Sequence, residues 1–281
     1  MKLSTVRLGQ RLTWGVVKDQ HFYDAGLVLQ KTYADLKAAI AAGLAGVEEA
    51  ANSAAAVSLD QVEWLPVIPN PPKILCVGLN YETHRKETGR SEVENPTIFA
   101  RYANSQTGHL QPIIRPKVST ELDFEGELAV IISRPGRYIS REDALSHVAG
   151  YACYNDGSIR DFQRHTHQFT PGKNFPDTGA FGPWMVTPDE MGPLDSLRLQ
   201  TRLNGQVVQE ALFSHMIFDI QRQIEYCSSF TGLEAGDVIV SGTPGGVGAK
   251  RNPPLWMKPG DTVEVEIDNI GILTNRIVDE V

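Results

Sequence analysis

The chain has 281 residues, 41% of them hydrophobic and 21% charged, which is enough for one large core or for a main domain with a smaller one. Its formal net charge of −8 argues against nucleic acid or an anionic membrane surface as a partner. No secretory apolar segment opens the chain, and no apolar stretch is long enough to span a bilayer. The three cysteines lack C-x-x-C spacing and predict free thiols, so we expect a cytoplasmic protein.

The first 68 residues are predicted to form a small N-terminal unit. Strand-like segments lie at Trp14–Val17 and Gly26–Leu29, and an amphipathic helix is expected to begin at Thr32. A cluster of prolines between 66 and 72 then marks a boundary. We therefore predict two domains, 1–68 and 69–281.

The second unit is predicted to begin with a short buried strand at 74–78, followed by a polar segment from Asn80 to Glu87. If this segment is helical, His84 and Glu87 are neighbours at positions i and i+3. A carboxylate beside an imidazole fixes its tautomer and makes it a usable general base. The alternative is an exposed ion pair on a polar helix.

An acidic run, Glu121 to Ile132, is predicted to form one β-strand, because its second half is apolar and mostly β-branched. Side chains alternate along a strand, so Asp123, Glu125 and Glu127 are expected on the same face. Three carboxylates on one face repel one another unless a hard divalent cation such as Mg²⁺, Mn²⁺ or Ca²⁺ binds them. The alternative is a solvated face of an edge strand.

The next candidate residues follow a strand-like segment at 150–154. Asp156 comes at its end, where side chains often reach into a site, although a plain turn aspartate is the alternative. His165 and His167 have the His-x-His spacing of some transition-metal sites, but no cysteine or third histidine is near, which disfavours zinc. Lys173 follows Pro-Gly and is expected on a loop, either at a site or on the surface.

The last third of the chain is predicted to be mainly short strands. Asn204-Gly205 is a strong hairpin signal between two such strands, and a helix is expected over Ser214–Cys227 with Ile217 on its apolar face. The glycine-rich run 241–248 lacks the pattern of a phosphate loop or a dinucleotide fold. Its amides suit an anion-binding nest, and a tight turn is the alternative. The whole pattern indicates a β-rich α+β fold.

Taken in order, these motifs resemble the fumarylacetoacetate hydrolase family over roughly residues 70–281, and in particular bacterial acylpyruvate hydrolases and hydroxyhepta-2,4-diene-1,7-dioate isomerases. The matching motifs are Val77-Gly78-Leu79-Asn80-Tyr81 with His84 and Glu87, Glu125-Gly126-Glu127, Asp156 with Arg160, Asp161 and Gln163, Lys173, and Ser241-Gly242-Thr243-Pro244-Gly245-Gly246-Val247-Gly248. The resemblance implies a core of mixed β-sheets of the β-roll or β-sandwich type, a small N-terminal accessory domain and a homodimer.

The resemblance also implies site residues. It places one Mg²⁺ or Mn²⁺, with Ca²⁺ as a further candidate, on Glu125, Glu127 and Asp156, and it leaves Asp123 outside the ligand set. The implied catalytic residues are His84, Glu87, Lys173 and Gln163. The implied substrate-binding residues are Arg101, Arg160, Gly242 and Thr243. His165 and His167 become pocket residues.

The expected substrate is a small anionic 2-oxo or 2,4-dioxo acid of the acylpyruvate or fumarylpyruvate type, as met in aromatic catabolism. We expect hydrolysis of a C–C bond through a metal-stabilised enolate, with His84 activating water and Glu87 orienting it. Oxaloacetate-type decarboxylation and isomerisation or hydration of a hydroxydienedioate are the alternatives. A non-catalytic relative that binds metal and ligand is a further one.

Overall fold

The computed structural model describes residues 1–89 and 91–281 of the chain. The strands are β1 (Lys2–Leu8), β2 (Arg11–Lys18), β3 (His21–Tyr23), β4 (Ala56–Ser58), β5 (Glu63–Trp64), β6 (Ile74–Gly78), β7 (Thr97–Arg101), β8 (Gln106–Thr107), β9 (Ile113–Arg115), β10 (Leu122–Asp123), β11 (Gly126–Ile132), β12 (Val148–Asn155), β13 (Ser158–Ile159), β14 (Gly179–Val186), β15 (Arg198–Leu203), β16 (Gln206–Leu212), β17 (Val238–Val240), β18 (Thr262–Ile267) and β19 (Gly271–Asp279). The helices are α1 (Ala25–Val28), α2 (Leu36–Ala41), α3 (Val47–Ser53), α4 (Glu82–Thr88), α5 (Arg160–Gln163), α6 (Thr170–Lys173) and α7 (Ile220–Phe230).

Two mixed sheets dominate the described residues. The larger has twelve strands in the order β4-β3-β2-β1-β14-β12-β11-β17-β6-β7, with β5 on β1 and β8 on β14. The smaller has five strands in the order β16-β15-β18-β19-β9 and contains the predicted Asn204-Gly205 hairpin. A short pair, β10 and β13, completes the set. The predicted β-rich α+β fold with mixed sheets is confirmed.

Strand β11 lies at the centre of the larger sheet and is buried along its whole length. Leu128 and Val130 on one face pack in the core that the smaller sheet also lines, while Ala129 and Ile131 on the other face join the core beneath the N-terminal helices. Alternation of side chains along a strand explains why one apolar run serves two cores. Packing on both faces thus fixes the position of β11, and Glu125 and Glu127 lie directly before and at the start of this strand.

The N-terminal strands extend the larger sheet, because β1 pairs with β14 through Lys2↔Val186 and Leu3↔Met185. Strand β14 in turn pairs with β12, which lies beside β11. The boundary at residue 68 stays a prediction. Among the described residues, none of the helices has the length and apolar character needed to cross a bilayer.

The prediction of one continuous strand from Glu121 to Ile132 is wrong. The run from Glu121 to Ile132 divides into β10 and β11, with a break at Phe124 and Glu125. The break is held by side chains that replace ladder hydrogen bonds: Asp123 accepts from the Phe124 N–H at 2.9 Å, and Asn155 accepts from the Glu125 N–H at 2.9 Å. Asp123 therefore lies on a different strand from Glu127, and it is not among the acidic groups whose oxygens converge.

The N-terminal unit also corrects two predictions. Residues 26–29, predicted as a strand, fall largely in helix α1, because Asp24 caps it by accepting from the Leu27 N–H at 2.8 Å. The helix expected from Thr32 begins later, after Asp35, whose carboxylate accepts from the Ala38 N–H at 2.8 Å. A capping carboxylate satisfies an amide that the first turn leaves unpaired, and so fixes where each helix starts.

The helix predicted over Ser214–Cys227 is α7, which begins after Asp219. Asp219 accepts from the Arg222 N–H at 2.9 Å and thereby caps this helix. Ile217 lies outside it, and its N–H donates instead to the carbonyl of Asn80 at 2.8 Å. The other residues of the predicted apolar face, Ile220, Ile224 and Cys227, lie on α7 and are buried.

Candidate metal centre and catalytic cavity

The three predicted metal ligands come together because two central strands pair where one begins and the other ends. The register of β11 and β12 places Gly126 opposite Asn155 and Glu127 opposite Tyr154. Asp156 follows directly, and its N–H donates to the Glu125 carbonyl at 2.8 Å. One carboxylate oxygen from each of the three acidic residues lies within 4.8 Å of the others, and all three side chains are buried. These three residues are Glu125, Glu127 and Asp156.

The glycine between the two glutamates is required by the second sheet. A Cβ added at Gly126 would lie 2.0 Å from Thr201 Oγ1 on β15, closer than any real contact. The Gly126 N–H donates to Gln209 Oε1 at 3.0 Å, so the same sheet also holds the backbone here. Packing between the two sheets thus excludes a side chain at the position between Glu125 and Glu127.

The loop after β17 contacts the candidate metal ligand Glu127 and the backbone beside it. Gly242 donates its N–H to Glu127 Oε2 at 2.5 Å, and its φ of +104° is one that a side chain rarely permits. Thr243 Oγ1 donates to the Gly126 carbonyl at 3.0 Å and accepts from Gln209 Nε2 at 2.8 Å, while its side chain lines the cavity described below. The loop therefore orients a candidate ligand through Gly242.

Three buried cations surround the acidic residues. Lys173 Nζ, at the end of α6, lies 2.5 Å from Glu125 Oε2 and 2.6 Å from Asp156 Oδ2. Arg160 Nη2 lies 2.7 Å from Glu125 Oε1. Arg101 Nη1, at the end of β7, lies 2.6 Å from Asp156 Oδ1. Burial of so many carboxylates is tolerable because each faces a cation or a backbone amide.

Asp123 lies apart from the three candidate ligands. It accepts from Arg160 Nε at 2.8 Å and from the backbone amides of Gly248 at 2.8 Å and Ala249 at 2.9 Å. The carboxylate is fully buried and fixes both the arginine and the glycine-rich loop. Its place outside the ligand set agrees with what the family resemblance implies.

Burial acts differently on the two glutamates. Burial, with the charges of Asp156 and Glu125 adding to it, raises the pKa of Glu127 well above its usual value. Burial also acts to raise the pKa of Glu125, but the charges of Arg160 and Lys173 outweigh it, so that the pKa is lowered. Glu127 is therefore the carboxylate whose charge has the weakest compensation from neighbouring side chains.

The donor set fits a hard divalent cation. Three converging carboxylates, one of them destabilised in its charged form, match the oxygen ligands that Mg²⁺, Mn²⁺ and Ca²⁺ prefer. Glu125, Glu127 and Asp156 would hold the ion. His165 and His167 lie on the exposed wall of the cavity, away from any buried thiol or imidazole cluster among the described residues.

The raised pKa of Glu127 has an effect on stability that can be measured. The folded state keeps a proton that the unfolded state releases, so the free energy of unfolding of the metal-free protein falls as pH rises above about 4.5, until the raised pKa is passed. We expect Glu127→Gln to remove this loss, which amounts to at most about 1.4 kcal/mol per pH unit.

Thermal unfolding in a chelator, between about pH 5 and pH 8, checks this expectation. The difference in Tm between wild type and Glu127→Gln isolates the contribution of Glu127, since the other titrating groups are common to both proteins. Parallel pH profiles for the two proteins would show that Glu127 has an ordinary pKa.

The predicted His84–Glu87 pair is formed on helix α4. His84 Nδ1 lies 2.6 Å from Glu87 Oε1, and Glu87 Oε2 accepts from the Gly246 N–H at 2.9 Å. Because the carboxylate binds Nδ1, the other ring nitrogen, Nε2, remains for proton transfer. The imidazole is 6% exposed and lines the same cavity as Glu125 and Glu127. The exposed surface ion pair that was the alternative is therefore not what the structure contains.

A cavity of about 660 Å³ joins these groups. Its inner wall contains Glu125, Glu127, His84, Lys173, Arg160, Gln163 and Thr243. Gln163 Oε1 accepts from Arg160 Nη1 at 2.8 Å, which fixes its amide. Among the described residues, the exposed part of the wall carries basic side chains and no acidic ones. They are Arg164, His165, His167 and Lys250.

Arg101 is placed differently from the other predicted substrate-binding residues. Its guanidinium is fully buried, does not line the cavity, and donates to Asp156, the Gly157 carbonyl and Thr178. In the structure Arg101 positions the candidate metal ligand Asp156, and it does so from outside the cavity. The charge-assisted hydrogen bond from Arg101 Nη1 to Asp156 Oδ1 orients this carboxylate.

Sequence reasoning missed Gln209 altogether. Its side chain is buried, accepts from the Gly126 N–H and donates to Thr243 and to the Pro244 carbonyl, so it ties three parts of the site together. A polar residue at an inward strand position is the usual signal for such a role. Here a register shift between Thr201 and Arg202 disturbs the alternation along the hairpin, and the pattern does not mark it.

Comparison with known proteins places the site in a family context. Residues 73–278 match the family described as fumarylacetoacetate (FAA) hydrolase C-terminal. The chain is 41% identical over 225 residues to oxaloacetate tautomerase YisK of Bacillus subtilis (strain 168), covering 78% of this chain and 74% of that protein.

Solved structures resemble the whole chain. A fumarylacetoacetate hydrolase from psychrophilic Exiguobacterium antarcticum has a TM-score of 0.88 at 34% identity, with both chains covered completely. A maleylpyruvate hydrolase from Sphingobium sp. SYK-6, solved with manganese(II) and pyruvate, has a TM-score of 0.83 at 27% identity, again over both complete chains.

Proposed function

The chain belongs to the fumarylacetoacetate hydrolase family of enzymes, and on this premise we propose that it uses one divalent metal ion to hydrolyse a C–C bond in a small 2,4-dioxo acid. The observation that carries the proposal is that His84, which Glu87 holds at Nδ1, lines the same cavity as the candidate ligands Glu125 and Glu127. A base held by a carboxylate has a clear use in activating water, and simple decarboxylation does not require one.

The side chains have distinct tasks in this reaction. When bound, the divalent ion would act as a Lewis acid on the 2-oxo group. His84 Nε2 takes a proton from a water molecule while Glu87 keeps the ring oriented, and the hydroxide adds to the distal carbonyl. The bond between that carbon and its neighbour then breaks, giving a free acid and pyruvate after the neighbouring carbon takes up a proton.

Lys173 and Arg160 are the charged donors nearest to the carboxylates, so they stabilise negative charge that develops on the substrate. Gln163 presents its amide to the cavity while its oxygen is bound to Arg160. Thr243 on the opposite loop also lines the wall. These groups orient the substrate so that its distal carbonyl comes near His84.

The size and charge of the cavity support a substrate with an acidic distal group. A volume of about 660 Å³ lies in the range of sites for ligands much larger than pyruvate. The exposed basic residues of the wall, Lys250 and His167 among them, suit a carboxylate far from the metal. Fumarylpyruvate and maleylpyruvate have this arrangement of groups.

A second candidate is keto–enol tautomerisation of oxaloacetate. The observation that favours it is the 41% identity to a Bacillus subtilis protein with that activity in its name, over 225 residues. The same groups would serve: His84 would move a proton to or from the carbon next to the 2-oxo group, and no water would be consumed.

Absorbance assays with Mg²⁺ and with Mn²⁺ separate the two reactions. The test substrates are acylpyruvates, fumarylpyruvate among them, and oxaloacetate. Loss of the enol-diketone absorbance together with release of pyruvate and a free acid supports hydrolysis. Faster interconversion of oxaloacetate enol and ketone, with acylpyruvates unchanged, rejects hydrolysis in favour of tautomerisation.

A further inference from the structure

The charges around the candidate metal centre are already almost balanced by the protein itself. The carboxylates are those of Asp123, Glu125, Glu127 and Asp156, and the cations are those of Arg101, Arg160 and Lys173. All seven groups are buried, and with every carboxylate ionised, which is the form that binds a metal, they have a formal charge of −1. A divalent ion bound there therefore changes the formal charge of the cluster from −1 to +1.

Lys173 pairs with carboxylate oxygens of two of the three candidate metal ligands. Its ammonium lies 2.5 Å from Glu125 and 2.6 Å from Asp156, bridging two of the three candidate ligands. The other oxygen of each carboxylate is engaged by an arginine, Arg160 for Glu125 and Arg101 for Asp156. An ion bound by these residues must share them with Lys173 or displace it, and two buried cations at such distances repel strongly.

We propose that Lys173 competes with the divalent metal for Glu125 and Asp156, so that the protein holds the metal tightly only together with an anionic ligand. This inference rests on the metal centre and does not depend on which reaction follows. The carboxylate of a 2-oxo acid supplies the negative charge that the metal leaves uncompensated. It also gives Lys173 a new partner on the cavity side, since its side chain lines that wall.

Reciprocity follows from thermodynamic linkage. If the anion raises the affinity for the metal by some factor, the metal raises the affinity for the anion by the same factor. Metal and oxo acid thus occupy the site as a pair, and the metal-free protein keeps its carboxylates neutralised by Lys173 in the meantime. Lys173 offsets the repulsion between Glu125 and Asp156 at the expense of metal affinity.

Calorimetric titration with Mn²⁺, with and without oxalate, tests the proposal on the intact chain. We expect Lys173→Met to bind Mn²⁺ alone at least about tenfold more tightly than wild type, and to gain less from oxalate. Lys250→Met is the matched control, because it removes one lysine from the same cavity without touching the acidic residues; its Mn²⁺ affinity should equal that of wild type. A folded Lys173→Met protein that binds Mn²⁺ no better than wild type overturns the proposal.

A second measurement uses the wild-type protein and needs no variant. Oxalate, pyruvate and pyruvamide are small bidentate oxygen ligands with charges of −2, −1 and 0. After correction for the affinity of each for free Mn²⁺, their effect on Mn²⁺ binding by the protein should decrease in that order. Equal enhancement by the neutral amide and the dianion would show that charge compensation is not what couples the two ligands.

Discussion

Replacing Glu125 with alanine is expected to abolish divalent-metal binding and to lower turnover at least about thousandfold, since a bound ion contributes several kcal/mol of transition-state stabilisation. Glu125 is one of three converging carboxylates, and it also pairs with Lys173 and Arg160. Its loss leaves two buried cations short of a partner, which we expect to cost about 3–5 kcal/mol of folding stability. Metal content after dialysis, Mn²⁺ titration and kcat together check the prediction.

The matched control for this change is Glu125→Gln. Glutamine keeps the shape of the side chain and an oxygen acceptor for Lys173, but it removes the negative charge that holds the metal. Metal binding should therefore be lost, with a smaller loss of stability than in Glu125→Ala. Wild-type metal affinity in a folded Glu125→Gln protein would remove Glu125 from the ligand set.

Replacing His84 with alanine is expected to lower kcat by about 10²–10⁴ while leaving metal binding unchanged. The imidazole lies on α4, is held by Glu87 at 2.6 Å, and is not among the groups whose ligand atoms converge on the candidate metal centre. Turnover of an acylpyruvate and Mn²⁺ affinity, measured on the same preparation, separate the two roles.

Two controls sharpen the result for His84. His167→Ala removes another histidine from the same cavity and should change kcat much less, because His167 lies on the exposed wall. Glu87→Gln should have an intermediate effect, since its amide oxygen still accepts from Nδ1 but no longer stabilises a protonated ring. Unchanged turnover in His84→Ala would exclude it as the proton-transfer group.

The parts of the site that sequence reasoning found are those carried by short spacings. Glu125 and Glu127 are two residues apart at the start of a strand, and His84 and Glu87 are three apart on a helix, so local geometry alone brings each pair together. Asp156 was expected at a strand end, where the structure places it. The homodimer and the roles of these residues stay predictions, the first of which light scattering would test.

The contacts that the sequence does not predict join residues that are far apart in the chain. Arg101 reaches Asp156 across 55 residues of sequence, and Gln209 reaches Gly126 across 83. No local sequence pattern predicts either contact, because each contact forms only when the sheets pack together. The division of the acidic run at Phe124 has the same origin, since the amides of Gly248 and Ala249 hold Asp123 from far along the chain.

Helix starts were misplaced for a local reason. Apolar residues such as Tyr33 and Ile217 continue the helical spacing beyond the true first turn, whereas the capping aspartates Asp35 and Asp219 fix where the helix begins. An aspartate directly before an apolar run therefore predicts the first residue of a helix better than the spacing of the apolar residues that precede it.

The pairing of β1 with β14 bears on how this protein can be dissected. The residues that match the family begin at 73, so a chain trimmed to them would lose β1 and leave Met185 and Val186, at the end of β14, without the strand that pairs with them. An unpaired strand edge next to apolar residues such as Met185 is a template for association with other chains. We therefore expect a chain trimmed to residues 73–278 to associate with itself more readily than the whole chain does.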